Sequence, residues 1–454
     1  MKHVSIIFFL CAAMLPVGVT YAADSDIEFL KRELQLMRQQ YEARIQKLES
    51  KIVELAEKQQ QPASNNASNA PAASAAQPQV TSTAPRNRQN AFNPGISAIL
   101  DGKINSYSRN PDNYAIPGFQ LGEEAGLARE GLSAEESEIN ITGNIDDRFF
   151  GNITFALLTE DGETEIELEE AYIESIGLFN GFGVKAGRFF SEVGYLNKQH
   201  AHTWDFVDQP LVYRAMLGTQ YTDDGVQVRY VAPTDTFLQL GGEYLRGAGF
   251  PAAGDDNEGK GVYSLFAHLG GDIGDSYSWR LGLSGLWAET DGRESDDVVF
   301  SGDSNLAIAD AVLKWAPNGN PTERNLKLQA ELFYRDEDGD ISIDEGTSFV
   351  DYDGEQGGFY AQAVYQFMPR WRVGARYDRL WSDNDSTDAT VLAAAGLDDG
   401  HDPSRFGVML DYTRNEFNRV RLQYNRDKSR QGNADNQFSL QYIMIFGAHG
   451  GHEF

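Results

Sequence analysis

Beyond Asn90 the chain alternates. Ile139, Ile141 and Ile145 are interleaved with Glu138, Asn140, Thr142 and Asn144, and Val226, Val228 and Tyr230 with Gln227 and Arg229. Side chains of an extended strand point to opposite faces in turn, so a period of two predicts strands with one oily and one wet side. The pattern returns at Trp279, Leu281, Leu283 and Trp287, and at Leu326, Leu328 and Leu332. It appears again at Trp371, Val373, Ala375 and Tyr377, and at Val420, Leu422 and Tyr424. Before Asn90 the pattern differs. From residue 23 to 61 apolar residues fall at Ile27, Leu30, Leu34, Met37 and Tyr41, then at Ile45, Leu48, Ile52 and Leu55. These steps of three and four predict a helix about 50 Å long, with a heptad seam that stutters near Tyr41 and calls for partner helices. Residues 62–90 are Ala, Ser, Asn, Gln and Pro with few large apolar groups, which predicts a disordered linker.

Soluble sandwiches also alternate, and two features separate a membrane barrel from them. Asp146-Asp147-Arg148, Pro233-Thr234-Asp235, Met368-Pro369-Arg370 and Asn415-Glu416-Phe417 form tight turns, whereas Arg109–Glu135, Ser191–Asp224, Arg246–Lys260 and Ser382–Pro403 are long and polar. Short turns on one rim and long loops on the other are the habit of outer-membrane barrels. Tyr, Trp and Phe also recur near strand ends, as an interfacial girdle requires. Counting with that parity from Ile96 to a last strand at Phe438–Phe446 gives an all-β, antiparallel transmembrane barrel of about sixteen strands over residues 91–454. The parity closes when Ser191–Asp224 is one long outer-side loop, and such a loop folds inward to narrow the bore.

Composition fixes the compartment. Val4–Leu15 is the one long apolar run; it follows Lys2 and ends near Thr20-Tyr21-Ala22, the order of a secretory signal over residues 1–22. No later run approaches the 18 or so apolar residues of a spanning helix. The single cysteine, Cys11, lies within that signal, which leaves no thiol for metal binding or catalysis. The net charge is −30, and residues from Ala91 onward hold 60 acidic against 28 basic groups. Phosphates would be repelled, so nucleic acid is excluded as a partner. The chain has no G-x-S-x-G and no H-E-x-x-H, and no enzymatic activity is expected.

The wet faces of the strands carry Arg229, Arg280, Lys327, Arg335, Arg372, Arg376, Arg405, Arg419 and Arg421, a basic wall toward the lumen. Opposite it the long loop offers Glu192, Asp205, Asp208, Asp223 and Asp224, which would set a transverse field across the constriction. The same groups equally suit solvated pairs with Glu243, Glu331, Asp378 and Asp411 that select nothing. His200 and His202, two apart, would point to one side of a strand, with Asp205 and Asp208 near enough to add oxygen ligands, so they are candidate zinc ligands. They also suit ordinary loop residues. His449 and His452 are a weaker pair beyond the last strand. The acidic runs Glu160–Glu170 and Arg335–Glu345 suit solvated charge, and are also candidate calcium sites that would bridge lipopolysaccharide, although the second lacks the glycine after Asp340 that an EF-hand loop needs. No other cofactor is expected.

Phe92-Asn93-Pro94-Gly95, Ala186-Gly187-Arg188-Phe189-Phe190-Ser191, Gly194-Tyr195-Leu196-Asn197, His200-Ala201-His202-Thr203-Trp204-Asp205-Phe206, Asp224-Gly225-Val226-Gln227 and the ending Gly447–His452 carry a family likeness. Through them the chain resembles the sixteen-stranded trimeric porins of Gram-negative bacteria, in particular the phosphate-porin-like group with an N-terminal periplasmic coiled coil. It is also similar to porin-like proteins filed as zinc-regulated TonB-dependent receptors. A TonB-dependent receptor places a globular plug before about 22 strands, and here a coiled coil and a linker stand in that place. The resemblance implies a homotrimer in the outer membrane, in contact with lipid and lipopolysaccharide and passing small hydrophilic or charged solutes or ions by diffusion. Zinc uptake is the alternative it implies.

Overall fold

The computed structural model describes residues 94–447, apart from 135, 161–162, 178–179, 253–260, 296, 344–347, 399 and 416. The expected signal, coiled coil and linker, and His449 and His452, lie outside the described residues. The alternating segments form strands β1 (Gly95–Tyr107), β2 (Gly131–Ser133), β3 (Ser137–Asn144), β4 (Phe149–Glu160), β5 (Glu163–Ser175) and β6 (Phe182–Phe190). They continue as β7 (Thr222–Val231), β8 (Phe237–Leu245), β9 (Val262–Ile273), β10 (Tyr277–Ser295), β11 (Val298–Trp315) and β12 (Asn325–Ser342). The last five are β13 (Val350–Met368), β14 (Trp371–Ser386), β15 (Ser404–Asn415), β16 (Asn418–Lys428) and β17 (Asp435–Gly447).

From β3 to β17 each strand pairs antiparallel with the next, and β1 closes the ring by pairing with both β3 and β17. Apart from β2, a short addition beside β1, the described strands make one closed sixteen-stranded barrel. Closure gives every strand of the ring a partner on each side, so the sheet has no open edge strand, as a membrane interior demands. The four tight turns fall where expected. Two of the long loops are shorter than the sequence suggested, because Thr222–Asp224 belong to β7 and Ser382–Ser386 to β14.

The outer face is oily between two aromatic rings. Phe182, Phe237, Tyr277 and Phe446 mark the short-turn side, and Tyr244, Tyr263, Trp287, Tyr334 and Phe438 the other, all exposed. Between them stand Leu265, Leu281, Leu283, Leu332 and Val373. The lumen departs from the alternation rule, because Leu286, Leu306, Ile308, Phe333 and Leu380 point inward and are buried. They meet no water: the loop between β6 and β7 packs on them. Within that loop the helix Leu211–Leu217 is buried along its whole length. Its side chains Leu211, Val212, Met216 and Leu217 contribute about 1.5–3 kcal/mol each on burial. The loop after β1 adds Ile116 and Phe119 to the same cluster. It turns at Gly118, with φ +88°, where a Cβ would fall 2.1 Å from the Ser382 hydroxyl.

Candidate functional site

The inward loop is pinned at its base. The Asn197 amide donates to the carbonyls of Ser191 (2.8 Å) and Tyr221 (2.9 Å), and its carbonyl accepts from the Tyr221 N–H, so one side chain ties the two ends together. Glu243 on β8 accepts from the Ser191 hydroxyl and the Glu192 N–H. Glu331 on β12 accepts from the N–H groups of Tyr195 and Leu196 and from the hydroxyls of Tyr213 and Tyr360. Gly194, at φ +70°, allows this approach, since a Cβ there would stand 2.6 Å from the Glu331 carboxylate.

Next the loop crosses the basic wall and touches it. Asp205 pairs with Lys327 (3.1 Å) and Arg372 (2.9 Å), and Asp208 with Arg376 and Arg405 (both 2.7 Å). Asp411 takes the other side of Arg372, and Asp378 approaches Arg376 and Arg405 while accepting from the Leu211 N–H. Arg421 donates to the Trp204 carbonyl (2.6 Å) and to Gln441, and Arg419 reaches the carbonyls of His202 and Trp204. Burial by itself would raise the Asp205 and Asp208 carboxyls; the cations of Lys327 and Arg372, and of Arg405 and Arg376, outweigh it and hold both well below the usual carboxylate range. The acids and bases here meet in contact, and Asp378 and Asp411 pair with arginines of the wall.

Other members of the expected set lie elsewhere. Glu192 pairs with Lys198 (2.6 Å) and approaches His268 (3.8 Å). Asp223 accepts from the Tyr221 hydroxyl, and Asp224 pairs with Arg188 on the neighbouring strand, so neither meets the basic wall. Arg229 pairs with Glu174, Arg280 with Asp310 (3.4 Å), and Arg335 with Gln356 and Glu337.

His200 and His202 come together, but with oxygen groups other than Asp205 and Asp208. Nδ1 of His200 lies 3.2 Å from Glu169 and 3.4 Å from Glu138, and its Nε2 lies 3.1 Å from Glu170. Nδ1 of His202 lies 2.9 Å from the other oxygen of Glu138, and the two rings stack at 5.7 Å. Burial would lower the His200 pKa, yet the Glu138 and Glu169 carboxylates raise it well above the ordinary imidazole value. Burial and the neighbouring His200 charge push His202 down to about 3, so it is neutral at pH 7. Glu138 was visible in sequence only as a polar position just before the strand isoleucines, and Glu169 and Glu170 only as members of an acidic run.

A closed sixteen-stranded barrel, oily outside and carrying a folded loop within, is a membrane-spanning barrel of the outer-membrane type. The chain belongs to the family of an uncharacterized protein of Aquifex aeolicus (strain VF5), with which it shares 32% identity over 403 residues, 81% of each chain. No family model matches the chain. Among solved structures it is similar to OmpT of Vibrio cholerae with loop L8 deleted, at TM-score 0.48 and 13% identity, over 78% of this chain and 100% of that one. It is also similar to the outer-membrane channel DcaP of Acinetobacter baumannii, at TM-score 0.48 and 15% identity over 77% and 96%. An anion-selective porin from Comamonas acidovorans compares at TM-score 0.47 and 10% identity over 77% and 98%.

Proposed function

We propose that the protein is an outer-membrane porin through which small hydrophilic or charged solutes diffuse passively. The observation that carries this reading is the seating of the loop. It docks on the inner faces of β10–β16, through Ser284, Glu331, Asp378, Arg405 and Arg421, reaches Glu138 on β3 and Glu170 on β5 through its two histidines, and so narrows the bore. Beside it Asn140, Lys185 and Arg229 remain partly exposed on the inner faces of β3, β6 and β7, the lining expected of a water-filled passage. Planar-bilayer recording of the purified protein tests it: stable stepwise conductance is expected, and persistent silence from folded protein contradicts it. We take the chain to be a homotrimer in contact with lipid and lipopolysaccharide, its N-terminal helices coiled in the periplasm. The heptad seam from Ile27 to Leu55 supports this, and a native mass of one chain at micromolar concentration would count against it.

A second reading, a channel for metal uptake, draws support from the gathering of Glu138 on β3 and Glu169 on β5 with His200 of the loop.

A further inference from the structure

We propose that Glu138, Glu169 and Nδ1 of His200 form a binding site for a divalent transition-metal ion of the zinc class. The first support is a backbone irregularity. On β5, Glu170 stands opposite Thr154 and Leu168 opposite Phe155, so Glu169 is an extra residue in a β-bulge. In regular pairing, Glu169 and Glu170 would point to opposite faces of the wall. The bulge turns both toward His200, in keeping with the habit of bulges to re-aim a side chain beside a functional site.

The second support is the distances. Ligands about 2.1 Å from a tetrahedral ion stand about 3.4 Å from one another. Nδ1 of His200 is 3.2 Å from the Glu169 oxygen and 3.4 Å from the Glu138 oxygen, and the three ligand atoms lie within 4.8 Å of one another. His200 Nδ1 and the Glu169 oxygen are both buried and lack a well-aligned hydrogen bond; they face each other as an ion pair that a bound cation would replace by coordination.

The third support is the shell behind them. A metal-bound imidazole commonly donates its far N–H to a carboxylate, which fixes the ring and its tautomer. Nε2 of His200 meets Glu170 in this way, and Glu170 is itself held by the Asn152 amide and the Phe190 N–H. Nδ1 of His202 orients Glu138 through its second oxygen. Three carboxylates around one imidazole leave negative charge that a dication would neutralise. The side chains of His200 and Glu169 are 21% and 18% exposed, while the facing nitrogen and oxygen themselves are buried. A mixed nitrogen and oxygen set of this kind suits zinc, cobalt or nickel better than calcium.

The test is independent of conduction. Zinc binding to the full chain in detergent is measured by calorimetry with millimolar magnesium present, in a His449→Ala/His452→Ala background that silences the tail. One ion per chain is expected. Glu169→Gln and His200→Ala should each weaken binding about tenfold or more, while His401→Ala should leave it unchanged. Glu169→Gln keeps the size of a partly exposed strand residue, and heat-modifiable migration of each variant reports that the barrel is folded. Absence of saturable binding, or binding that both variants leave intact, overturns the proposal whether or not the protein conducts.

Discussion

Asp208 gathers four donors: Arg376, Arg405, Gln423 and Asn425. Asp208→Asn keeps the shape but leaves two buried guanidinium groups sharing the single carboxylate of Asp378, a loss smaller than the roughly 3–5 kcal/mol of a buried pair broken outright. Because Asp208 lies just before the helix Leu211–Leu217, the loss should fall on loop docking and leave the barrel intact. Hydrogen exchange read by mass spectrometry should show those helix amides deprotected in the variant. The pH dependence follows from the same pairs. The folded pKa values of Asp205 and Asp208 lie below the unfolded value of about 3.9, so their contribution is full above that value and is lost as pH falls through the folded ones. Protection of the helix amides in wild type should therefore hold from neutral pH down to about 4 and fail only below it. Loss of protection near pH 6 would show that these ion pairs do not hold the loop. The sequence revealed the polar identities of these residues but not their partners, since Asp208 and Arg405 are separated by 197 residues and Tyr213 and Glu331 by 118.

At the scale of elements, the period of two made the strands and their tight turns legible. It was silent on the seat of the loop. Leu306, Ile308 and Phe333 sit at inward positions, and only a neighbour distant in sequence explains why apolar groups stand there. The bulge at Glu169 was hidden for a similar reason, because an extra residue shows only against its partner strand. The acidic run from Asp336 to Asp340 is another case. It lies on β12, with Arg335 and Glu337 inside and Asp336, Asp338 and Asp340 outside, beyond Tyr334. Across the sheet Asp303 opposes Asp338, Asp338 opposes Asp353, and Asp353 opposes Asp385. Like charges directly opposite one another destabilise a sheet, so Asp353→Asn should stabilise the barrel by about 0.5–1 kcal/mol. Added calcium should shrink that gain by screening the wild-type ladder. Urea midpoints with and without calcium decide it, and a lower midpoint for the variant would refute the repulsion argument.

For the whole molecule, sixteen strands leave room for a passage, and the loop determines how much of it stays open. Asn197 clasps the loop ends, Glu331 and Asp208 fasten its body, and the buried helix fills the space beside β13 and β14. The account stands on the claim that this loop lies in the conducting path. Replacing residues 198–218 by a short glycine-serine linker, in a variant shown to migrate as a folded barrel, puts that claim to single-channel recording. A conductance step clearly larger than wild type is predicted, since current is limited where the bore is narrowest. An unchanged step would contradict it.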